Sequence, residues 1–560
     1  MLGIKRRNFI GAVLCSAIYM IVIWNLVPFV YGIIDDRSMM EIVSGQYLGH
    51  PDAHTIFLGY WYSLLLTGLY RLLPNVDWYA LCYMLLQGGC LCLILYRIMS
   101  RASDRRRGLS GCIFVLLLIL VLGVQALTQL TFTTTAAVLG VTVLFWYMTS
   151  EKIRFADWLL LLILCFLTEQ VRSSVYFMIL PVCGILWLFR AGRREEGRWH
   201  GWIPAAAVSV LLLSLLGNQV GYGSDSWRAY QSYNQNRSAV FDYSDYTFPR
   251  YEDATEFYNR MGIESKSRAK TLFYYNYTAD EQISPEFFGT YISDYEAAFP
   301  SEETQLDQVL ESVKGYLKKF FVGKIHIQHV LAVLLYMGLA AWYAVRKDGK
   351  GCGKVLCVMG IQMVLWIYLF YEGRTPERVI YSMNLMMAVT GILLLAEALR
   401  GRMIPENIQK TGAAALIFLL AGASVFQISR MRQQNLEMSR RNEDIEALKV
   451  YCMEQPENFY FNDVTSMAFT TYNVKLWRED AYKMNYMSLG DWMSYSPVWQ
   501  EKLDQQGISS VKDALYTQEE VYLICSFDKG LEYLVSLYDG VECTEVEKIP
   551  GFKIYRLQLL

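Results

Sequence analysis

The chain has 560 residues, of which 54% are hydrophobic and 19% charged, with a formal net charge of −2 at pH 7. That charged share is below the roughly 25% of ordinary soluble domains, and the near-neutral balance offers no electrostatic footprint for nucleic acid. No zinc-ligand spacing, P-loop or dinucleotide-binding glycine pattern occurs. Most of the twelve cysteines fall inside apolar blocks, where they act as small packing residues, and the odd trio Cys452, Cys525 and Cys543 gives no disulfide framework.

In chain order, a basic start at residues 1–7 leads into an apolar run that ends near Tyr31. The run is too long for a signal-peptide core and lacks a small-x-small cleavage site, so an uncleaved first transmembrane helix is expected at 8–31. Further spans are expected at 77–97, 110–128, 134–149, 156–170, 173–190, 200–217, 327–345, 355–371, 379–398 and 411–428, each near the roughly 20 residues that cross a hydrocarbon core. Basic clusters occur at 5–7, 97–107, 152–154, 190–198, 346–354 and 400–410. With eleven spans all of them share one side, which the positive-inside rule makes cytoplasmic. If 56–73 also crossed, the later clusters would change sides, so that block is expected to lie along the outer interface, a depth that suits Tyr60, Trp61, Tyr62 and Tyr70.

The expected fold class is therefore a polytopic α-helical membrane protein of about eleven transmembrane helices with a small extracytoplasmic α/β domain at its C-terminus. An N-terminal transmembrane module, 1–217, carries a first outer loop at 32–76. A large extracytoplasmic loop follows at 218–326, then C-terminal transmembrane helices at 327–428, then the α/β domain at 429–560. The N-terminus is cytoplasmic on this reading and the C-terminus extracytoplasmic. The end of the large loop, 302–320, reads as an amphipathic helix. In the tail, β-prone runs at 458–463, 520–526 and 551–558 alternate with helical stretches at 434–453, 497–506 and 529–538.

Ionisable residues near membrane depth are costly and usually have a task. Here they gather at the outer ends of spans: Asp35 and Asp36 after the first, Glu169 and Arg172 in one later turn, Glu372, Arg374, Glu377 and Arg378 in another. An aspartate pair can take a proton from an attacking hydroxyl or bind a divalent cation; the plainer alternative is a pair of solvated turn acids. Guanidinium groups pair bidentately with phosphate, so Arg172, Arg374 and Arg378 suit a lipid-linked phosphate; the alternative is that they snorkel or pair with the nearby glutamates. His50 and His54 share the first outer loop with the aspartates, so Asp35, Asp36 and His50 form a possible metal set, against the ordinary reading as surface histidines. Thr131, Thr133, Thr134 and Thr135 hydrogen-bond a substrate or cap a span. His54, with the polar–aromatic run containing Asn234, Asn236, Arg237, Asp242, Tyr243 and Asp245, suits a sugar, or else that run is an Asx-rich turn.

The layout resembles the GT-C superfamily of membrane glycosyltransferases. The likeness rests on Asp35-Asp36 after the first span, His50-Pro51, the interfacial 56–73 block and the following span that ends in a basic loop at 79–107. It covers mainly 1–190, and no WWD-type motif stands in the tail. The resemblance implies transfer of a sugar from a polyprenyl-phosphate donor to an extracytoplasmic hydroxyl on an envelope polysaccharide, glycolipid or protein. It implies that Asp35 or Asp36 is the catalytic base or a metal-binding acid, and that arginines in later outer loops hold the donor phosphate, a role Arg172, Arg374 and Arg378 match by location. No cofactor is certain; a divalent cation is possible, and the bilayer is a partner. Two other classes stay open. A transporter or lipid-sugar flippase would show repeats and charges near the midplane. A non-catalytic envelope assembly protein would tolerate loss of both aspartates.

Overall fold

The computed structural model describes residues 2–102, 104–191, 197–243, 246–300, 304–322, 326–400, 406–468, 470–478, 483–526 and 528–560. The N-terminal half runs α1 (Leu2–Leu26), β1 (Val30–Tyr31), α2 (Ile34–Ser44), α3 (Tyr60–Leu72), α4 (Trp78–Arg101), α5 (Arg105–Leu122), α6 (Val124–Thr128), β2 (Gln129–Leu130), α7 (Phe132–Thr149), α8 (Phe155–Val171), α9 (Ser173–Arg190) and α10 (Ile203–Tyr222). The large loop holds α11 (Asp225–Asp242), α12 (Thr255–Arg260), α13 (Lys266–Phe273), α14 (Phe287–Ala298) and α15 (Gln305–Phe321). Then come α16 (Ile327–Val345), α17 (Gly349–Tyr371), α18 (Glu377–Leu399) and α19 (Glu406–Met453). The tail adds β3 (Phe459–Asn462), α20 (Val464–Met467), β4 (Tyr486–Ser488), α21 (Pro497–Asp504), α22 (Val511–Thr517), β5 (Val521–Cys525), α23 (Asp528–Val535), β6 (Val541–Ile549) and β7 (Phe552–Leu559).

This is a polytopic helical membrane protein. Among the described residues nine helices are long and apolar enough to cross a bilayer, and the apolar stretch Gly108–Leu122 of α5 is shorter. Every expected span is helical, with α8, at 17 residues, the second short one. The 13 residues of α3 reach about 20 Å, too short for a hydrocarbon core of about 30 Å. One end of the bundle gathers the basic turns: Glu151 lies 3.6 Å from both Arg101 and Arg400, and Arg190 donates to the Tyr147 and Ser150 carbonyls at 2.7 and 2.8 Å. The large loop and the tail cover the opposite end.

Several boundaries differ from the sequence reading. The first span stops at Leu26, before Pro28, and the aspartates sit in the first turn of a separate helix, α2. The expected span 110–128 breaks at Gly123 into α5 and the five-residue α6. The last span and the helix expected at 434–453 are one continuous α19 of 48 residues, about 72 Å long, because no Gly or Pro interrupts the good helix formers between them. The amphipathic helix of the large loop starts at Gln305, and residues 302–303 lie outside the described residues.

The tail forms one five-stranded sheet in the order β4-β3-β5-β7-β6, with β3 parallel to both neighbours and β7 antiparallel to both of its own. The expected strands at 458–463, 520–526 and 551–558 are β3, β5 and β7. The nine-residue β6, exposed along most of its length, carries a run of acidic residues that disguised it.

The tail is not a separate bead. Its segment 470–478 threads between α2 and the start of α4. There Tyr31 N–H donates to Tyr472 O at 2.9 Å, Val474 N–H to Phe29 O at 2.9 Å, and Asp77 N–H to Leu476 O at 3.1 Å. Side chains lock it. Arg478 Nη2 meets the fully buried Asp77 Oδ2 at 3.0 Å, and the Tyr31 hydroxyl donates to Asp77 Oδ1 at 2.7 Å. Beside them the Tyr472 hydroxyl donates to Glu41 Oε1 at 2.6 Å. Removing one partner of a buried pair costs about 3–5 kcal/mol, because the other charge is left uncompensated. Arg478→Met is therefore expected to lower the melting temperature of the detergent-purified protein sharply, and Lys475→Met, whose 54%-exposed side chain reaches Glu446, to leave it nearly unchanged.

Candidate active site

Asp35 and Asp36 are adjacent in sequence but have different surroundings. Asp36 is fully buried. Its Oδ1 accepts from the Tyr79 hydroxyl at 2.8 Å and from the Phe132 N–H at 2.9 Å, so α2 is held against the starts of α4 and α7. Its Oδ2 has no protein partner. Burial pushes the Asp36 carboxyl well above the usual range, against the pull of those two donors. Gly45, at φ +86°, then ends α2, and the chain folds back so tightly that a Cβ there would stand 2.7 Å from the His50 carbonyl carbon. That turn returns residues 46–57 along α2.

Asp35 faces the arginines. Its Oδ2 lies 3.3 Å from Arg378 Nη2, with 19% of its side chain exposed. Burial raises its carboxyl pKa; Arg378, Arg172 and Arg374 oppose that rise and Asp242 adds to it. The three arginines from two distant turns thus converge on one carboxylate. Asp35–Arg378 is the only salt bridge of that cluster among the described residues. Arg172 lies over the rings of Phe132 and Phe57, at 4.9 and 5.4 Å from their centroids, and its Nε donates to Ser174 Oγ at 3.0 Å. Arg374 lies over the Tyr243 ring at 5.1 Å. Burial and the two neighbouring guanidiniums bring Arg172 down to about 10. The cluster therefore holds more positive charge than it neutralises, in a half-buried place where an anion would be bound strongly.

A cleft of about 550 Å³ adjoins the cluster. It is lined by Ile56, Tyr222, Gln231, Asn234, Ser238 and Tyr243, among others. Ile56 sits at φ +64°, a conformation unfavourable for a β-branched residue, and its N–H is held by the Tyr222 hydroxyl at 3.1 Å. Trp492 of the tail reaches the same region, 4.8 Å from Phe57.

Other sequence candidates lie elsewhere or have structural roles. His54 is spent: its ring nitrogens meet Asp52 Oδ1 at 2.8 Å and Gly221 O at 2.9 Å, and the ring stacks on Trp227 at 4.6 Å. His50 is exposed beside Glu501 at 2.7 Å. The metal set of Asp35, Asp36 and His50 is thus not assembled, and among the described residues no three His, Cys, Asp or Glu side chains gather as ligands. Arg237 is buried, 3.2 Å from Asp242 and 2.9 Å from Asn234 Oδ1. It shapes the wall behind the cleft, as does Asp242, which also accepts from Ser238. Asn236 lies toward Gly289 of α14, off the cleft, because the face of α11 that carries Gln231, Asn234, Gln235 and Ser238 at helical spacing is the one turned to it. Tyr243 is both on the cleft and on Arg374. Asp245 lies outside the described residues. Thr131 caps α7 through Thr134 N–H at 3.0 Å, and Glu169 accepts from Ser214 and Gln170 rather than from an arginine. Sequence reasoning missed Tyr79, Gln231 and Trp492; only the Tyr79 position, at the head of a span, hinted at a polar task.

No protein-family model matches the chain, and no curated protein matches it. Among solved structures it is similar to the crystal structure of ArnT from Cupriavidus metallidurans in the apo state, with 11% sequence identity and a TM-score of 0.39 over 98% of this chain and 97% of that one.

The buried Asp36 makes the fold sensitive to pH. A carboxyl whose folded pKa lies above its unfolded value of about 3.9 stabilises the fold below that value, and the contribution is lost as pH rises through the folded pKa. Asp36→Asn is therefore expected to become less destabilising, relative to wild type, between pH 5 and pH 8 in thermal melts. Tyr79→Phe, which removes a donor from a buried carboxyl, should cost about 1–3 kcal/mol and lower the melting temperature.

Proposed function

We propose that the chain is a membrane glycosyltransferase of the GT-C type, which moves a sugar from a polyprenyl phosphate to a hydroxyl acceptor on the side of the large loop. One observation carries the reading: a partly exposed carboxylate, Asp35, stands among three arginines at the membrane edge, next to a polar–aromatic cleft. The placement of Asp35-Asp36 after the first span, as in that superfamily, supports it. The basic turns at the other end of the bundle favour a cytoplasmic placement of that end, which puts the site outside.

The chemistry follows from the groups. The acceptor O–H loses its proton to the Asp35 carboxylate as its oxygen bonds to the anomeric carbon. The bond from that carbon to the donor phosphate oxygen breaks, and its electron pair stays on the phosphate. Arg172, Arg374 and Arg378 hold the growing phosphate charge. Asn234, Gln231, Ser238 and the Tyr222 and Tyr243 rings offer hydrogen bonds and faces to sugar. An apolar cavity of about 170 Å³ lies between α1, α4, α5, α7 and α18. It begins at Val138, six residues along α7 from Phe132, or about 9 Å at helical rise. An isoprenoid tail fits its lining, which is apolar apart from groups such as Gln87 and Thr142.

In vesicles given radiolabelled polyprenyl-phosphate sugars and envelope extract, Asp35→Asn should lower transfer by about 10²–10⁴-fold. Arg172→Ala and Arg374→Ala should weaken donor use by about 10–100-fold each, the worth of one charge-assisted hydrogen bond. The acid limb of the pH profile should lie above the ordinary carboxylate value of about 3.9. Arg378 holds the Asp35 pKa down, so Arg378→Ala should move that limb to higher pH. Full transfer by Asp35→Asn would remove it as base.

A further inference from the structure

A second basic pocket lies on the far side of the turn that carries the arginines. The helix α15 has three faces. Ser312 and Tyr316 are buried toward α16 and α17, where the Tyr316 hydroxyl meets His329 Nε2 of α16 at 2.8 Å. Leu306, Val309, Leu310, Leu317 and Phe321 form an exposed apolar stripe at helical spacing. Ile327, Leu331 and Leu334 of α16 are exposed as well, on a span whose outer surface meets lipid. An amphipathic helix so placed lies in the interface plane with its apolar face in the acyl boundary.

Between the end of α15 and the α17–α18 turn opens a pocket of about 410 Å³, lined by Gly315, Lys318, Lys319, Phe370, Gly373 and Thr375 among others. Lys314 is paired with Glu311 at 2.6 Å. Lys318 and Lys319 have no carboxylate partner among the described residues, and Lys319 Nζ lies 4.8 Å from the Phe370 ring centroid. Gly373, at φ +61°, ends α17 with Gly373 N–H donating to Phe370 O at 3.1 Å and Arg374 N–H to Leu369 O at 3.2 Å, a Schellman cap. Gly373 and Thr375 face the pocket, while Arg374 and Arg378 of the same turn reach Tyr243 and Asp35.

We propose that this pocket binds the phosphate headgroup of an acidic glycerophospholipid from the surrounding leaflet, with the acyl chains along the α15–α16 stripe, and that the bound lipid braces the arginine turn. Two ammonium groups without a carboxylate partner among the described residues complement one phosphodiester, and the lining includes Val322, exposed beside Phe321 at the end of the apolar stripe, which favours an annular phospholipid over a soluble anion. Binding stands independently of the transfer reaction; only its effect on catalysis rests on the glycosyltransferase reading.

The test uses the full chain in phosphatidylcholine nanodiscs with and without phosphatidylglycerol. Native mass spectrometry reads retained phosphatidylglycerol, and hydrogen exchange reads amides 371–378. Wild type and Lys318→Arg/Lys319→Arg should retain the lipid and show slowed exchange in the turn when it is present. Lys318→Gln/Lys319→Gln should weaken retention roughly thirtyfold, at about fivefold per lysine near a charged membrane surface, and lose that protection. Farnesyl phosphate, a short polyprenyl phosphate, should not displace the lipid. Equal retention by wild type and the Gln variant would overturn the proposal. So would displacement by farnesyl phosphate at equal concentration, which would assign the pocket to a lipid-phosphate donor, or retention without protection of 371–378. Absence of transfer by wild type in these nanodiscs, with lipid retention intact, would count against the glycosyltransferase reading alone.

Discussion

One buried carboxylate oxygen, Oδ1 of Asp36, joins three chain segments, because it accepts at once from Tyr79 at the head of α4 and from the backbone of Phe132 at the head of α7. A carboxyl taken out of water is tolerated only where such donors meet it. Their positions therefore fix where α2 can lie and which way its first turn faces. Asp35, one residue earlier, is rotated about 100° around the helix by the 3.6-residue period, and so faces the other way, toward the arginines. Asp36 anchors the turn and Asp35 faces the arginines; neither position serves both ends.

The arginines meet the same constraint from the opposite side. Three guanidiniums close together repel, and only Arg378 has a carboxylate among the described residues. The rest of the charge is spread over aromatic faces, Phe57 and Phe132 under Arg172 and Tyr243 under Arg374. Guanidinium tolerates such desolvated stacking better than ammonium does. The tail completes the enclosure. Its strap at 470–478 runs beside α2 with Tyr472 buried, Trp492 packs on Phe57, and Lys502 reaches across to Tyr47 O at 3.0 Å. The soluble mass is thus a wall of the site, and its attachment runs through buried polar contacts that need both partners in place.

How much of this was legible depends on the range of each signal. The spans were readable because twenty apolar residues in a row have few other homes, and the amphipathic α15 because its period is local. Asp35, Arg172, Arg374 and Arg378 were readable as a group because charges at span ends share one membrane face. The pairings were not. Tyr79 meets Asp36 across 43 residues, Phe132 across 96, and Arg378 meets Asp35 across 343. No local period encodes those separations. The histidines misled because a metal set and a self-satisfied His54–Asp52 turn look alike in sequence. Asn236 misled because the run around it is helical, so that its neighbours Asn234 and Gln235, and not it, face the cleft.

The distribution of charge in the bundle bears on transfer against transport. Along the spanning helices the ionisable side chains sit in the terminal turns, as with Arg97 and Arg101 of α4, Lys354 of α17, and Arg378 and Glu397 of α18. The cavity between α1, α4, α5, α7 and α18 is apolar along its length, with Gln87 tied to Ala126 O and Thr135 Oγ1 at 3.0 Å. A sugar moved across the bilayer would need polar groups at the midplane to replace its water. A sugar delivered by an amphiphile needs none there, since on the proposed reading the isoprenoid would stay in the apolar cavity and the phosphate would stop at the arginines. Polar groups gathered at the cleft, above this apolar slot, suit the proposed transfer between a lipid and an outside acceptor.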